Sequence, residues 1–202
     1  MQLTDEAGRV VSILSVNGEV RKSFSYDAET AALLSFTNQG YRLDKIGEVW
    51  TDGVQVFDMD VSVNEFGVVT VVERGSGVTS KLNPDGSFVI TVSSELHSQY
   101  SVHHAGTAEH QVSQVDYPDG TSRFFRYDQF GMLKRVDEPH GYWIKQGTVW
   151  NHYNCGRKGF VCASHIDVDY NGTVVISYAS GGTVQATACG VYSATSTAFL
   201  AA

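Results

Sequence analysis

Tyr117-Pro118-Asp119-Gly120-Thr121-Ser122-Arg123-Phe124-Phe125-Arg126-Tyr127-Asp128-Gln129-Phe130-Gly131-Met132-Leu133-Lys134-Arg135-Val136 is the stretch that decides the fold. Pro-Asp-Gly opens it with a turn: proline presets φ, aspartate bonds its own backbone, and glycine takes a positive φ without steric cost. The run 121–127 that follows is β-branched and aromatic, which suits a pleated strand. Asp128-Gln129-Phe130-Gly131 then places an acid at the first position of a type I turn and glycine at the fourth. Such a turn, closed by a glycine bulge, joins two antiparallel strands. Along 121–127, Thr121, Arg123, Phe125 and Tyr127 interleave with Ser122, Phe124 and Arg126, so both faces carry some apolar load. That is expected of a stacked sheet or of a sheet curled on itself.

The same frame recurs outward from this stretch. Asp5-Glu6-Ala7-Gly8 precedes the strand-like run 9–14, and Asn64-Glu65-Phe66-Gly67 precedes 68–72. Gly18, Gly77 and Gly141 follow Gly8, Gly67 and Gly131 at one constant spacing, which marks an internal repeat. A second kind of turn lies between them, at Thr51-Asp52-Gly53, Asn83-Pro84-Asp85-Gly86, Tyr117-Pro118-Asp119-Gly120 and Tyr170-Asn171-Gly172. Asp-Gly and Asn-Gly flanked by β-formers are the strongest short-range hairpin signal. Gly8, Gly67, Gly131, Gly86, Gly120 and Gly172 are therefore read as structural turn residues, and 54–63, 87–93, 121–127 and 173–178 as strands. One segment breaks the pattern. Asp27 as N-cap, Glu29 in the first turn, the helix formers Ala31 to Leu34 and Gly40 as terminator predict a short helix over 28–38. The expected fold is all-β: consecutive antiparallel hairpins in a twisted meander, sandwich or open spiral, with that one helix. Residues 1–141 carry the repeat, and 142–202 add C-terminal hairpins that continue or cap the same sheet.

Composition bounds the function. The chain has 202 residues, 42% hydrophobic and 18% charged, enough to bury a core without metal or disulfide staples. Its net charge of −8 argues against a nucleic-acid partner, which would call for a basic face. The first residues show no basic and apolar leader, so no signal peptide is visible. No stretch is apolar enough for a transmembrane helix. Cys155, Cys162 and Cys189 are an odd set; Cys155 and Cys162 could close a small loop in an oxidising compartment, and free or buried thiols are the alternative.

Tyr127-Asp128 after a Pro-Asp-Gly turn, two variable residues, Gly131 and a further strand resembles the YD repeat of the Rhs family. The segment 5–27, closing on Tyr26-Asp27, looks like another copy; 47–77 looks like a degenerate one, and the tail after Gly141 departs from the pattern. Bacterial Rhs proteins, toxin-complex subunits and teneurins carry such repeats in long spiralling β-shells that can enclose a cargo. The resemblance implies a secreted or cell-surface location and a non-catalytic structural or interaction role; the expected partner is a protein or a surface glycan. It implies no cofactor.

Several residues invite sharper readings. Asp167, Asp169 and Asn171 before Gly172 match the opening of a calcium loop, but Tyr178 stands where the bidentate glutamate belongs, and an ordinary hairpin turn explains the same residues. His97, His103, His104 and His110 cluster in sequence without zinc-ligand spacing. His152 and Cys155, with His165 and Asp167 downstream, are the best local set for a nucleophile and base, as in a small toxin-like enzyme within 142–202. Tyr142, Trp143, Trp150 and Tyr153, with Phe160, are either core or an exposed platform on which sugar rings stack. The leading expectation is a structural or interaction module. A carbohydrate- or surface-binding domain is its first alternative, the toxin-like enzyme its second. Unpaired sheet edges would also permit self-association.

Overall fold

A computed structural model describes residues 1–93, 99–106, 111–154, 161–178, 182–186 and 192–196. The chain is all-β and antiparallel, and the strands of each sheet pair in chain order. It divides into two compact units, Met1–Ile90 and Thr91–Ala202.

In the first unit, β1 (Gln2–Thr4), β2 (Val10–Leu14), β3 (Val20–Tyr26), β4 (Leu33–Asn38), β5 (Tyr41–Ile46), β6 (Val49–Thr51) and β7 (Val56–Phe57) form one sheet in chain order. A second meander follows: β8 (Met59–Val63), β9 (Val69–Glu73) and β10 (Val78–Leu82). β11 (Phe88–Val92) carries the unit boundary. The second meander folds back over the first sheet. Gln2 Nε2 donates to the Glu65 carbonyl at 2.8 Å, and a Cβ built on Gly67 would lie 2.7 Å from Ile13 Cδ1. Val10, Ile13, Phe24, Phe36, Leu43, Trp50, Met59 and Val69 fill the space enclosed.

The second unit runs through β12 (Tyr100–His104), β13 (Val112–Asp116), β14 (Ser122–Tyr127), β15 (Leu133–Glu138), β16 (Gly141–Gln146), β17 (Val149–Asn154), β18 (Val161–Val168), β19 (Val174–Tyr178), β20 (Gly182–Ala186) and β21 (Tyr192–Ser196). It closes in the same way. The turn between β18 and β19 packs on β12 and β13, with Gly172 against Val115 and Val102. The core holds Val115, Phe125, Val136, Trp143, Trp150, Ala163, Val174 and Ile176, among others.

One turn design recurs at four of the hairpins. At Asp5, Asn64, Asp128 and Asp169 the side-chain oxygen accepts the amides two and four residues on, and the glycine at the fourth position donates to the first residue's carbonyl. Gly131 and Gly172, at φ +77° and +78°, are representative. The Pro-Asp-Gly turns reach the same backbone bonds differently: Asp85 and Asp119, at the third position, accept from Ser87 and Thr121.

The two units follow one plan. Val10, Ile13, Lys22, Phe24, Tyr26, Leu43, Trp50, Gly67 and Val69 of the first correspond in strand, order and burial to Val112, Val115, Arg123, Phe125, Tyr127, Trp143, Trp150, Gly172 and Val174 of the second. Gly47-Glu48-Val49-Trp50 and Gly147-Thr148-Val149-Trp150 show the correspondence in the sequence itself.

The helix expected over 28–38 is absent; residues 33–38 are strand β4. Asp27 does cap a turn, accepting Glu29 N, Thr30 N and Thr30 Oγ1, but Ala31 at φ +58° ends it after one turn. Leu33 to Asn38 then pairs with β3, burying Phe36, which stacks on Phe24 at 5.8 Å. Gly40, read as a helix terminator, instead turns β4 into β5 together with Gln39, at φ +86° and +50°. Tertiary burial of two aromatic side chains outweighs a helix propensity of a few tenths of a kcal/mol per residue.

Lys22 shows what the fold demands of an inward-facing cation. It is 2% exposed, and its ammonium donates to the carbonyls of Leu82 and Asn83 at 3.2 and 2.6 Å. Burial pulls its pKa from 10.5 down to about 8, opposed by the charge of Asp85. Between those values the unfolded chain binds more protons than the folded one, so stability rises with pH across that window and is flat below it. The gain expected is up to about 3 kcal/mol. Urea melts at pH 7.5 and 9.5 should show it in the native chain and lose it in Lys22→Met.

Candidate functional site

Period-two alternation gives each strand an inner and an outer face, and the chemistry-bearing residues sort between them. The tyrosines of the Tyr-Asp pairs sit at the closing end of a strand, each at a register irregularity against the next strand. Tyr26 Oη donates to the Val10 carbonyl and Tyr127 Oη to the Val112 carbonyl, both at 2.9 Å. The aspartates that follow hold the turns. Both members of the motif are thus bound to the sheet's own backbone.

Burial pushes the Tyr127 phenol up to about 12, assisted by the negative charge of Asp167. Its ionisation is harder in the folded chain than in the unfolded one. Stability is therefore unaffected below pH 10 and falls between 10 and about 12. Tyr127→Phe should cost about 1–2 kcal/mol at neutral pH, through the lost hydrogen bond and the Val112 carbonyl left without it. It should also flatten the alkaline loss relative to the native chain; an unchanged alkaline profile would remove Tyr127 from that role.

On the inner face of the second unit the row Phe125, Val136, Trp143, His152 runs across β14 to β17. Beside it lies a buried charged chain. Arg123, 5% exposed, meets Glu138 Oε1 at 2.8 Å, and His152 Nε2 lies 3.6 Å from Glu138 Oε2. The His152 ring packs on Trp143 at 4.6 Å, Trp143 faces Tyr178, and Arg123 stacks over Tyr117. Nε and NH1 of Arg123 and Nε1 of Trp143 are buried without a hydrogen-bond partner among the described residues. Sequence reading missed this cluster. The signal was present: Arg123 stands in register with Phe125 and Tyr127, a cation in an apolar row.

The outer face of the same strands differs. Tyr142 and Tyr153 pair across β16 and β17 and stack at 5.0 Å and 14°. Arg135 lies 4.1 Å above Tyr142 and bonds Asp137, which also takes Arg126. The four aromatics marked as candidate binders therefore separate by parity. Trp143 and Trp150, 3% and 1% exposed, belong to the core, while Tyr142 and Tyr153 lie on the outer face.

Further candidates fall into ordinary roles or outside the described residues. Asp169 Oδ1 is engaged by the amides of Asn171 and Thr173, and Asp167 Oδ1 by that of Val168, as hairpin-turn and strand-end acceptors. Among the described residues no group of three or more His, Cys, Asp or Glu converges on a metal-sized space. His103 bonds Asp116 at 2.6 Å; burial opposes ionisation of that carboxyl, but Ser122, Gln114 and His103 hold it below the usual range. His104 is buried with its ring against Tyr170. His97, His110, Cys155, Phe160 and Cys189 lie outside the described residues. Cys162 is an exposed free thiol, its Sγ 3.5 Å from Asn151 Oδ1, and His165 is exposed three residues on along the same strand, β18.

No family model matches the chain, and no curated protein matches it either.

Proposed function

We propose that the chain is a non-catalytic structural or interaction module that resembles a piece of an Rhs/YD-repeat extracellular shell. One observation carries this reading. In both units the tyrosine and the aspartate of the motif are spent on the sheet's own backbone, Tyr26 on Val10 with Asp27 capping its turn, and Tyr127 on Val112 with Asp128 capping its own. A motif whose tyrosine repeats the same backbone bond and whose aspartate caps a turn in both copies serves architecture, and repeat modules of this kind draw their stability from packing on neighbouring units. The reading carries with it a secreted or cell-surface location, a protein or surface glycan as partner, and a curled or spiral course of the sheet. No helix among the described residues is long and apolar enough to cross a membrane.

The test is expression of the intact chain in a bacterial host, directed to cytoplasm or periplasm, beside Cys155→Ala and His152→Ala. Equal growth is expected throughout. Growth arrest relieved by either substitution would overturn the scaffold reading in favour of a toxin-like enzyme in 142–202.

The outer pair Tyr142–Tyr153 with Arg135, Asp137 and Asn151 favours glycan binding as the second reading, because flat stacked rings beside planar hydrogen-bonding groups suit sugar faces. A glycan array separates the two. Binding lost in both Tyr142→Ala and Tyr153→Ala supports the glycan reading, and no binding that depends on these rings removes it.

A further inference from the structure

The duplication makes each unit a template for the other, and the surroundings of the two motif tyrosines differ in one respect. In the first unit the guanidinium of Arg9 lies over the Tyr26 ring, 4.8 Å from its centre, held there by Asp5 at 2.7 Å. In the second unit the residue at the Arg9 position is Gln111, which turns aside to donate to the Gly131 carbonyl at 2.6 Å. Next to Tyr127 there is instead a groove of about 300 Å³, lined by Gln111, Tyr127, Leu133, Asp167, Asp169 and Tyr170, among others.

Charge has moved with the cation. The turn that folds back over Tyr26 presents Ser62 and Asn64, whereas the one that folds back over Tyr127 presents Asp167 and Asp169 at the matching positions. Asp169 spends Oδ1 on its turn, as Asn64 does, so the added charge is not needed for the fold. An aromatic ring with carboxylates lining the same groove is the chemistry that recognises a guanidinium. The plane stacks on the ring face while its N–H fork bonds carboxylate, and an ammonium matches this geometry less well.

We propose that this groove binds an arginine side chain presented by a partner protein, with its guanidinium on Tyr127 beside Asp167 and Asp169, in the place that Arg9 occupies on Tyr26. The net charge of −8 steers a basic segment toward the chain. The inference goes beyond the scaffold reading: it names a partner's chemistry, and growth of an expression host does not report on it.

The probe is Nα-acetyl-arginine amide, titrated into the intact chain and followed through the Tyr127 ring resonances. The neutral isostere Nα-acetyl-citrulline amide and Nα-acetyl-lysine amide, its side-chain amine free, serve as controls. Saturable binding of the arginine probe is expected, with the lysine compound weaker and no binding of the citrulline one. Two variants close the argument. Asp167→Asn/Asp169→Asn keeps the turn acceptor that Asn64 supplies in the first unit and should weaken the probe at least tenfold. Gln111→Arg should rebuild the Arg9 arrangement, exclude the probe to the same degree and leave the melting temperature at or above that of the native chain. Absence of saturable binding, equal binding of the citrulline or lysine compound, or unchanged affinity in either variant would overturn the proposal.

Discussion

Gly172→Val should lower the unfolding free energy by about 3–5 kcal/mol. Two costs add there: a β-branched residue forced to positive φ, and overpacking in a filled core. The backbone is at φ +78°, and a new Cβ would lie 2.7 Å from Val115 Cγ2 and 3.2 Å from Val102 Cγ2. Gly120→Val isolates the first cost. Its φ is +81° with open space around it, so a loss of about 1–3 kcal/mol is expected. Gly131→Val should resemble Gly120→Val, since its one close neighbour is the Gln111 amide, the end of a flexible side chain. Denaturant melts of the three variants decide the point. Equal losses at 120 and 172 would mean that the turn between β18 and β19 does not rest on β12 and β13.

The second large effect lies in the buried pair Arg123–Glu138. Glu138→Ala should cost about 3–5 kcal/mol, because it leaves a guanidinium that is 5% exposed without its carboxylate. Arg123→Met combined with Glu138→Leu should be close to neutral or stabilising, since both charges leave together with the buried Nε and NH1 that have no partner among the described residues. The asymmetry is the test. Equal and large losses from the single and the double variant would show that the ion pair itself stabilises the fold, and equal small ones that the pair is solvated.

What the sequence disclosed and what it hid divide along a physical line. Turn chemistry is local, so Asp128 with Gly131 and Asp119 with Gly120 announce their turns, and the strands between follow from composition. All-β architecture in antiparallel hairpins was legible on that basis. Register is not local. Which of Tyr142 and Trp143 faces inward depends on pairing with Val136 and Asp137 and on the irregularity at Arg126 and Tyr127, so an aromatic cluster read as one patch is half core and half surface. The helix expected over 28–38 failed for the same reason: the signals around Asp27 were real, but they describe one turn, and the fate of Leu33 to Asn38 is set by Phe24 across the ladder. The correspondence of the two units was only half visible. It shows in Gly47-x-Val49-Trp50 and Gly147-x-Val149-Trp150, while elsewhere the side chains keep their burial and change their chemistry, Lys22 to Arg123 and Leu43 to Trp143. The Arg9–Tyr26 and Gln111–Tyr127 difference follows from that correspondence and from nothing in either segment alone.

The central claim is that each unit is a meander closed on itself, with one Asx-Gly turn seated on the early strands of the same unit. Nuclear Overhauser contacts from the glycine α-protons of those turns test it most directly in methyl-labelled protein. The account predicts contacts from Gly67 to the Ile13 δ1-methyl and from Gly172 to the methyls of Val115 and Val102, where a built Cβ lies at 2.7 to 3.3 Å. A spectrum in which Gly67 and Gly172 show contacts only within their own hairpins, with the ladders between neighbouring strands intact, would describe an open meander and contradict the account.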